Sequence, residues 1–388
     1  MASDLHKTIL FTAFEPSGDS HAAGVIRELS QRHPDIKIAA LGGPKMAAAG
    51  AELLSSTAED GAMGLGGLKR LKLLMEERRK LASWVDGRKL LLHVGVDSPS
   101  ANIRLMPTTK AAGARTLQFV APQFWAWAPW RLRRFRKFVD QVLCILPFEE
   151  DWFSQRGMSA RFIGHPVVNR PLDETAIAHA RDRLMLPDGS PRLLLLPGSR
   201  RSEVHANMPL LAGVFAELKK RHETAVGVVI AANKKLMPLI ESAAGGALPT
   251  GLNLREGGLQ GAIAWADLAL NASGTVSLDL TLQQCPMVSV YRMGFVSCVG
   301  SKFILSTPHR VLPNIVAGRR IVPEFVPYMG GGRPVVEAAD ALLSNPDRLE
   351  QTRSDLAEVI AQFGQHDPDR EAADAIDGML AASESVAH

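Results

Sequence analysis

Short apolar runs alternate with longer stretches of helical periodicity along most of the chain. Thr8-Ile-Leu-Phe-Thr-Ala-Phe, Ile36-Lys-Ile-Ala-Ala-Leu, Leu90-Leu-Leu-His-Val-Gly-Val, Thr116-Leu-Gln-Phe-Val and Gln141-Val-Leu-Cys-Ile-Leu read as strands, and residues 21–32 read as a helix after the first. Near Gly164-His-Pro a polar, helix-prone stretch interrupts the series. It restarts with Leu193-Leu-Leu-Leu, residues 225–232, Leu268-Ala-Leu and Met287-Val-Ser-Val. Runs that stay apolar at successive positions fit strands covered on both faces, as in a parallel sheet flanked by helices. The pattern predicts an α/β fold of two Rossmann-like, doubly wound halves, near 1–170 and 190–345.

In such sheets ligands lie beyond the carboxyl ends of the strands, so the strand-to-helix turns carry the chemistry. Leu195-Leu-Pro-Gly-Ser-Arg-Arg-Ser-Glu-Val follows a strand and opens a helix. Gly198 lets the backbone approach a ligand, and Ser199 can cap the helix. Arg200 adds a fixed cation where free N–H groups and the helix dipole favour an anion. The plainer reading is a capped helix with surface arginines. Asn271-Ala-Ser-Gly-Thr-Val-Ser-Leu-Asp repeats the logic: Ser273, Gly274 and Thr275 offer donors to a diphosphate, and Asp279 can accept ribose hydroxyls. Alone it is a βα turn with an N-cap, but two anion-binding turns in one half point to a nucleoside diphosphate.

Glu15-Pro-Ser-Gly-Asp at the first turn lacks the G-x-G-x-x-G spacing of a dinucleotide fold. Its two carboxylates repel phosphate, so a sugar or acceptor hydroxyl suits it better, unless Ser17 or Asp19 merely caps the helix beginning near His21. Asp97 closes an otherwise apolar strand, either as a turn former before Ser98-Pro99 or as a general base.

Composition narrows the classes. The 388 residues are 46% hydrophobic and 22% charged, which excludes a collagenous, coiled-coil or wholly disordered chain. No apolar stretch reaches the ~20 residues of a membrane span, and no secretion signal is recognisable at the start. Cys144, Cys285 and Cys298 lack metal-ligand spacing and fit buried thiols in a reducing cytosol. A net charge of +4 is too slight to predict a nucleic-acid partner. Locally, Phe124-Trp-Ala-Trp-Ala-Pro-Trp-Arg-Leu-Arg-Arg-Phe-Arg-Lys-Phe sets aromatics beside five cations, and residues 65–81 mix leucines with Lys69, Arg70, Lys72, Arg78 and Arg79. A solvated helix is the default for the first of these; two basic, apolar segments in one half favour a membrane surface. Asp367-Pro-Asp369 imitates a metal-binding D-x-D but reads better as a helix cap, and no other metal-ligand cluster is present.

Together the segments resemble lipid-A-disaccharide synthases. The blocks, in family order, are Glu15-Pro-Ser-Gly-Asp, Gly43-Pro-x-Met, Met63-Gly, Val96-Asp-Ser-Pro, Trp125-Ala-Trp, Leu146-Pro-Phe-Glu, Phe162-Ile-Gly-His-Pro, Leu196-Pro-Gly-Ser-Arg-x-x-Glu, Ala272-Ser-Gly-Thr, Cys285-Pro-Met-Val, Leu312-Pro-Asn-Ile-Val-Ala-Gly and Val322-Pro-Glu. The resemblance implies a GT-B architecture, two Rossmann-like domains facing a central cleft, with the C-terminal helix, about 350–388, packing back on the first. It implies an inverting transfer from UDP-2,3-diacylglucosamine to 2,3-diacylglucosamine 1-phosphate, with no metal and no cofactor. A diverged UDP-sugar transferase or epimerase with another acceptor is the alternative.

By the same resemblance Asp97 is the base. Gly198, Ser199, Arg200, Glu203, Ser273, Gly274, Thr275 and Asp279 hold UDP. Glu15, Ser17, Gly18, Asp19, Asn102, His165 and Asn314 line the acceptor side or the cleft. Segments 65–81 and 124–138 meet the inner membrane from the cytoplasm, the chain being peripheral there, and a homodimer that exchanges C-terminal parts is expected. Phe14, Gly67, Ser100-Ala101, Asp279 and Pro327 depart from the family's commonest pattern, three of these changes falling on the acceptor half while the phosphate turns are intact.

Overall fold

The structure, a computed structural model, describes residues 7–58, 67–292 and 307–384. The Met63-Gly block, Leu65 and Cys298 lie outside the described residues, as do the side chains of 67–71. The chain forms two units, one of residues up to 169 together with those from 365 onward, the other of residues 170–364.

The first unit is built on seven strands, β1 (Lys7–Thr12), β2 (Lys37–Gly42), β3 (Glu52–Ser56), β4 (Lys89–Val96), β5 (Arg115–Phe119), β6 (Gln141–Cys144) and β7 (Ser159–Phe162). They lie in the order β3-β2-β1-β4-β5-β6-β7, and all pairs are parallel. Ile9, Leu10 and Phe11 are fully buried in succession, which is possible only because helices cover both faces. The second unit holds β8 (Arg192–Leu196), β9 (Val226–Ala231), β10 (Leu252–Glu256), β11 (Leu268–Ala272), β12 (Met287–Arg292) and β13 (Glu324–Tyr328). Their order is β10-β9-β8-β11-β12-β13, again parallel throughout. In each sheet the winding reverses beside the first strand, between β1 and β4 and between β8 and β11. A crevice opens at such a switch point.

Four strands carry no clear sequence signal: β3, β7, β10 and β13. All four are sheet edges, and their residues are mostly half-buried or exposed. An edge strand has less apolar cover and tolerates Pro327, whose missing N–H would break an interior ladder.

The tail differs from the single helical segment expected over 350–388. Helix Pro346–Ala361 belongs to the second unit, where Arg319 makes two hydrogen bonds to Asp355. Helix Pro368–Glu384 belongs to the first: Ala372, Ala373 and Ile376 enter its core, and Arg32 pairs with Asp374 and Asp377 at 2.6 and 2.9 Å. Asp367 accepts from Arg370 N at 3.2 Å, so this Asp-Pro-Asp is indeed a helix cap. Helix Glu174–Arg183, in the stretch before 190, packs on helix Leu259–Trp265 of the second unit, and Gly261 allows the approach, since a Cβ there would lie 2.3 Å from Arg181 N.

Segment 124–138 is not a continuous helix. Left-handed Ala128 (φ +53°) and Pro129 break it into a turn, a 3-10 turn Pro129–Arg131 and a single helical turn Leu132–Phe135. Phe124, Trp125 and Phe135 are buried while Trp127 and Trp130 are exposed. Segment 65–81 falls largely in helix Gly67–Val85, with Leu74, Leu81 and Val85 packed against Leu10, Ala39 and Leu105. No helix among the described residues is long and apolar enough to cross a membrane.

Candidate active site

At the switch point of the first sheet the turns after β1 and β4 meet. Helix Pro16–Arg32 starts at once after β1, five residues earlier than its apolar pattern suggests, with Glu15 as N-cap residue. Ser17 therefore stands in its first turn, and its Oγ donates to Asp97 Oδ2 at 2.6 Å. Gly18 lies beneath them; a Cβ on it would come within 3.0 Å of Ala13 and 3.4 Å of the Asp97 Cβ. Asp97 and Ser98 are both left-handed, at φ +49° and +36°. That is a costly conformation for non-glycine residues. Asp97 Oδ1 accepts from Ser98 N at 2.8 Å, so both oxygens of the half-buried carboxylate are held just past the strand end.

What holds this strained pair is a buried polar chain that the sequence did not announce. Asn102 Nδ2 and Gln118 Nε2 both donate to the Asp97 carbonyl, at 2.7 and 2.9 Å. Asn102 Oδ1 accepts from Thr12 Oγ1 at 3.0 Å, Thr12 Oγ1 lies 2.9 Å from His93 Nε2, and His93 Nδ1 lies 2.9 Å from Thr109 Oγ1. Burial lowers the His93 pKa to about 3, so the ring is neutral with one nitrogen donating and one accepting. One part of the signal was legible: His93 interrupts the otherwise apolar run of β4.

In the second unit a cavity of about 700 Å³ opens at the switch point between β8 and β11. Gly198, Ser199, Arg200 and Glu203 line one side, Ser273, Gly274, Thr275 and Asp279 the other. All eight predicted donor-site residues thus converge on one cavity. Sequence reasoning missed Gly257, Gly258 and Tyr291, which also line it. Asp279 accepts from Gln260 Nε2 at 2.9 Å, and burial raises its pKa above the usual carboxylate value.

One expectation changes here. The Ser199 and Arg200 N–H groups do not face an empty anion site. Glu203 Oε2 accepts from both, at 3.0 and 3.2 Å, and Glu203 Oε1 takes Arg200 Nη1 at 2.7 Å. The carboxylate fills the helix start as a capping box does. Gly198 (φ +120°) is required by it, since a Cβ would lie 2.5 Å from the Glu203 Cβ. The residue grouped with the phosphate ligands is itself the anion seated on that turn.

Three acceptor-side candidates turn out to hold structure. Asp19 is buried and accepts from Gly43, Lys45 and Met46 N at 3.0–3.1 Å, so it caps helix Pro44–Ala48 rather than its own helix. Asn314 is fully buried in the second unit, accepting from Ile321 and Val322 N and donating to Val322 O, which closes the loop after helix Leu312–Ala317. His165 is buried after β7, accepts from Val167 N at 3.1 Å, and has its pKa lowered to about 3, chiefly by burial. Cys144 and Cys285 are free and buried.

The geometry thus gives one unit an oriented carboxylate and the other a cavity suited to a nucleoside diphosphate. A family model described as lipid-A-disaccharide synthetase matches residues 9–376. The chain is 36% identical over 360 residues to the lipid-A-disaccharide synthase of Myxococcus xanthus (strain DK1622), covering 92% of this chain and 93% of that one. It is 33% identical to the synthase of Enterobacter sp. (strain 638), covering 95% and 97%. Among solved structures, Anabaena Alr3699/HepE in complex with UDP and glucose superposes with a TM-score of 0.56 at 11% identity, covering 97% of this chain and 99% of that one. CalG4, the calicheamicin glycosyltransferase, superposes with a TM-score of 0.60 at 14% identity and the same coverage. The fold is that of the GT-B glycosyltransferases.

Proposed function

The chain belongs to the lipid-A-disaccharide synthetase family, and from that premise we propose how its residues divide the family's reaction. Membership makes it a glycosyltransferase of lipid A biosynthesis, a hexosyltransferase. The finer reading is an inverting transfer from UDP-2,3-diacylglucosamine to 2,3-diacylglucosamine 1-phosphate. The observation that carries it is the Asp97 carboxylate held at one switch point, together with a cavity of about 700 Å³ at the other that both glycine-containing turns line.

In this reading Asp97 takes the proton from the acceptor's 6-hydroxyl as that oxygen attacks the anomeric carbon. The bond from that carbon to the diphosphate breaks, and UDP leaves with the electron pair. Arg200 and the Ser273-Gly274-Thr275 turn stabilise the departing charge, while Asp279 accepts from the ribose. The UDP held by the Anabaena neighbour supports the choice of nucleotide. Ser17 and Ser98 N hold the two Asp97 oxygens, leaving their other lone pairs to the incoming hydroxyl. Exposed Met75, Trp127 and Trp130 support peripheral seating on the cytoplasmic face of the inner membrane.

The test is mass spectrometry of purified protein with both acylated substrates and EDTA. A tetraacyl disaccharide phosphate plus UDP is expected. Release of UDP with only hydrolysed or epimerised sugar would overturn the reading.

A further inference from the structure

Two basic, apolar segments that are remote in sequence meet on the first unit. A groove of about 280 Å³ has Ile103, Phe124, Trp130 and Phe135 as its apolar walls, with Arg104, Arg131 and Arg134 around them. A smaller hollow of about 110 Å³ shares Ile103, Arg104 and Arg134 and extends to Leu74, Met75 and Arg78 on helix Gly67–Val85. Arg131 is held over the Phe124 and Trp127 rings, 5.7 and 4.7 Å from their centroids. Arg104 and Arg134 are exposed, and among the described residues neither guanidinium is paired with a carboxylate. Three cations that have no carboxylate partner among the described residues, set around an apolar trough, complement a phosphate on an acylated ligand. Ligand pockets span roughly 300–1,000 Å³, so this groove takes part of one chain rather than a whole diacyl sugar.

Its position identifies the ligand further. Pro99 and Ser100 also line the groove and open helix Pro99–Ala111, directly after Asp97-Ser98. The trough is thus lined by the two residues that directly follow Asp97-Ser98 in the chain, within one unit.

We propose that this groove is an acceptor subsite: one acyl chain lies along Ile103, Phe124 and Phe135, and the acceptor's phosphate is held by Arg104, Arg131 and Arg134. The proposal rests on the functional reading above, which supplies an acylated sugar phosphate as acceptor. Ser100, a departure from the family's commonest residue, stands at the mouth and has a direct bearing on which chain fits.

The experiment titrates the full chain with 2,3-dihexanoylglucosamine 1-phosphate and with its phosphate-free counterpart, following tryptophan fluorescence. Trp130→Phe identifies the signal from the groove. Arg104→Gln with Arg134→Gln removes two surface charges that make no described side-chain contact, so folding is not at stake. The double variant is expected to bind the phosphorylated probe at least about tenfold more weakly, with the phosphate-free probe and UDP unaffected and KM rather than kcat changed. Equal binding by wild type and variant, or equal weakening for both probes, would overturn the subsite. So would loss of sedimentation with phosphatidylglycerol–phosphatidylcholine vesicles while the short-chain probe still binds normally, which would make the arginines a bilayer contact. Disaccharide formation with unchanged acceptor KM would sink the subsite and keep the functional reading. Arginine-dependent, phosphate-dependent binding with no disaccharide formed would do the reverse.

Discussion

Ser17 Oγ donates a 2.6 Å hydrogen bond to Asp97 Oδ2 across 80 positions of sequence. Ser17 opens the helix that follows β1 and Asp97 follows β4, its parallel neighbour, so the switch point of the first sheet brings them together. A serine at a helix start and an aspartate at a strand end each have a common structural use. Only their contact makes an oriented carboxylate.

Asp97→Asn is expected to abolish turnover and leave UDP affinity unchanged, because the carboxylate and the donor cavity belong to different units. Ser17→Ala is expected to lower kcat about tenfold, as the loss of one hydrogen bond to a charged group suggests. Product analysis with parallel calorimetry on UDP checks both. Full activity in Asp97→Asn would remove it from the mechanism.

Arg200 and Glu203 pull in opposite directions on an anion in the cavity. Arg200→Ala is expected to weaken UDP about tenfold. Glu203→Gln keeps the shape of the cap but removes the negative charge bound to Arg200. It is expected to tighten UDP severalfold and lower the melting temperature slightly. Calorimetry and a thermal scan on the same samples measure the trade, and weaker UDP binding in Glu203→Gln would show that the carboxylate contacts the ligand favourably.

In the proposed reading Asp279 gives up stability for recognition of the ribose. Burial raises its pKa, so the charged form opposes folding: its contribution is most favourable below the unfolded value near 3.9 and is lost as pH rises through the folded value. Asp279→Asn is expected to raise the melting temperature at pH 7, with the gain vanishing near pH 3. UDP binding should fall about tenfold, one hydrogen bond to a charged group being lost. Melting curves across pH that shift in parallel would contradict this.

His93 has the opposite sign of pH dependence. Its folded pKa, about 3, lies below the unfolded value near 6.5. The neutral ring's contribution is fully present above pH 6.5 and is lost as pH falls toward 3, because the unfolded chain takes up the proton first. His93→Gln is expected to flatten the acid limb of stability in the first unit. It should also lower kcat more than it alters UDP affinity, since Thr12, Asn102 and the Asp97 backbone lose their support. An unchanged acid limb would mean that another group dominates, His165 being the other buried histidine with the same shift.

The nine interior strands, the two parallel doubly wound sheets and the turns after their strands can be read from the order of amino acids alone. Helices on both faces demand continuous apolar runs, and a run ending in Gly, Ser or Asp is readable without coordinates. The eight residues that line the cavity of the second unit were legible too, because Gly198 to Glu203 and Ser273 to Asp279 each lie within one local motif. Edge strands escaped, since β3 and β13 have little apolar cover to advertise. How the polar residues are used emerges in the folded chain. Asp19 and Asn314 look chemically available until their carboxylate and amide are found on buried backbone groups. Glu203 reads as a ligand until it is found seated on the turn it was expected to help. The Thr12–His93–Asn102–Gln118 support of Asp97 joins residues from three strands and a helix, and the Arg104–Arg134 groove joins two segments remote in sequence. Hydrogen bonds and charge pairs of that kind are set by distance in space, and a sequence records distance only along the chain.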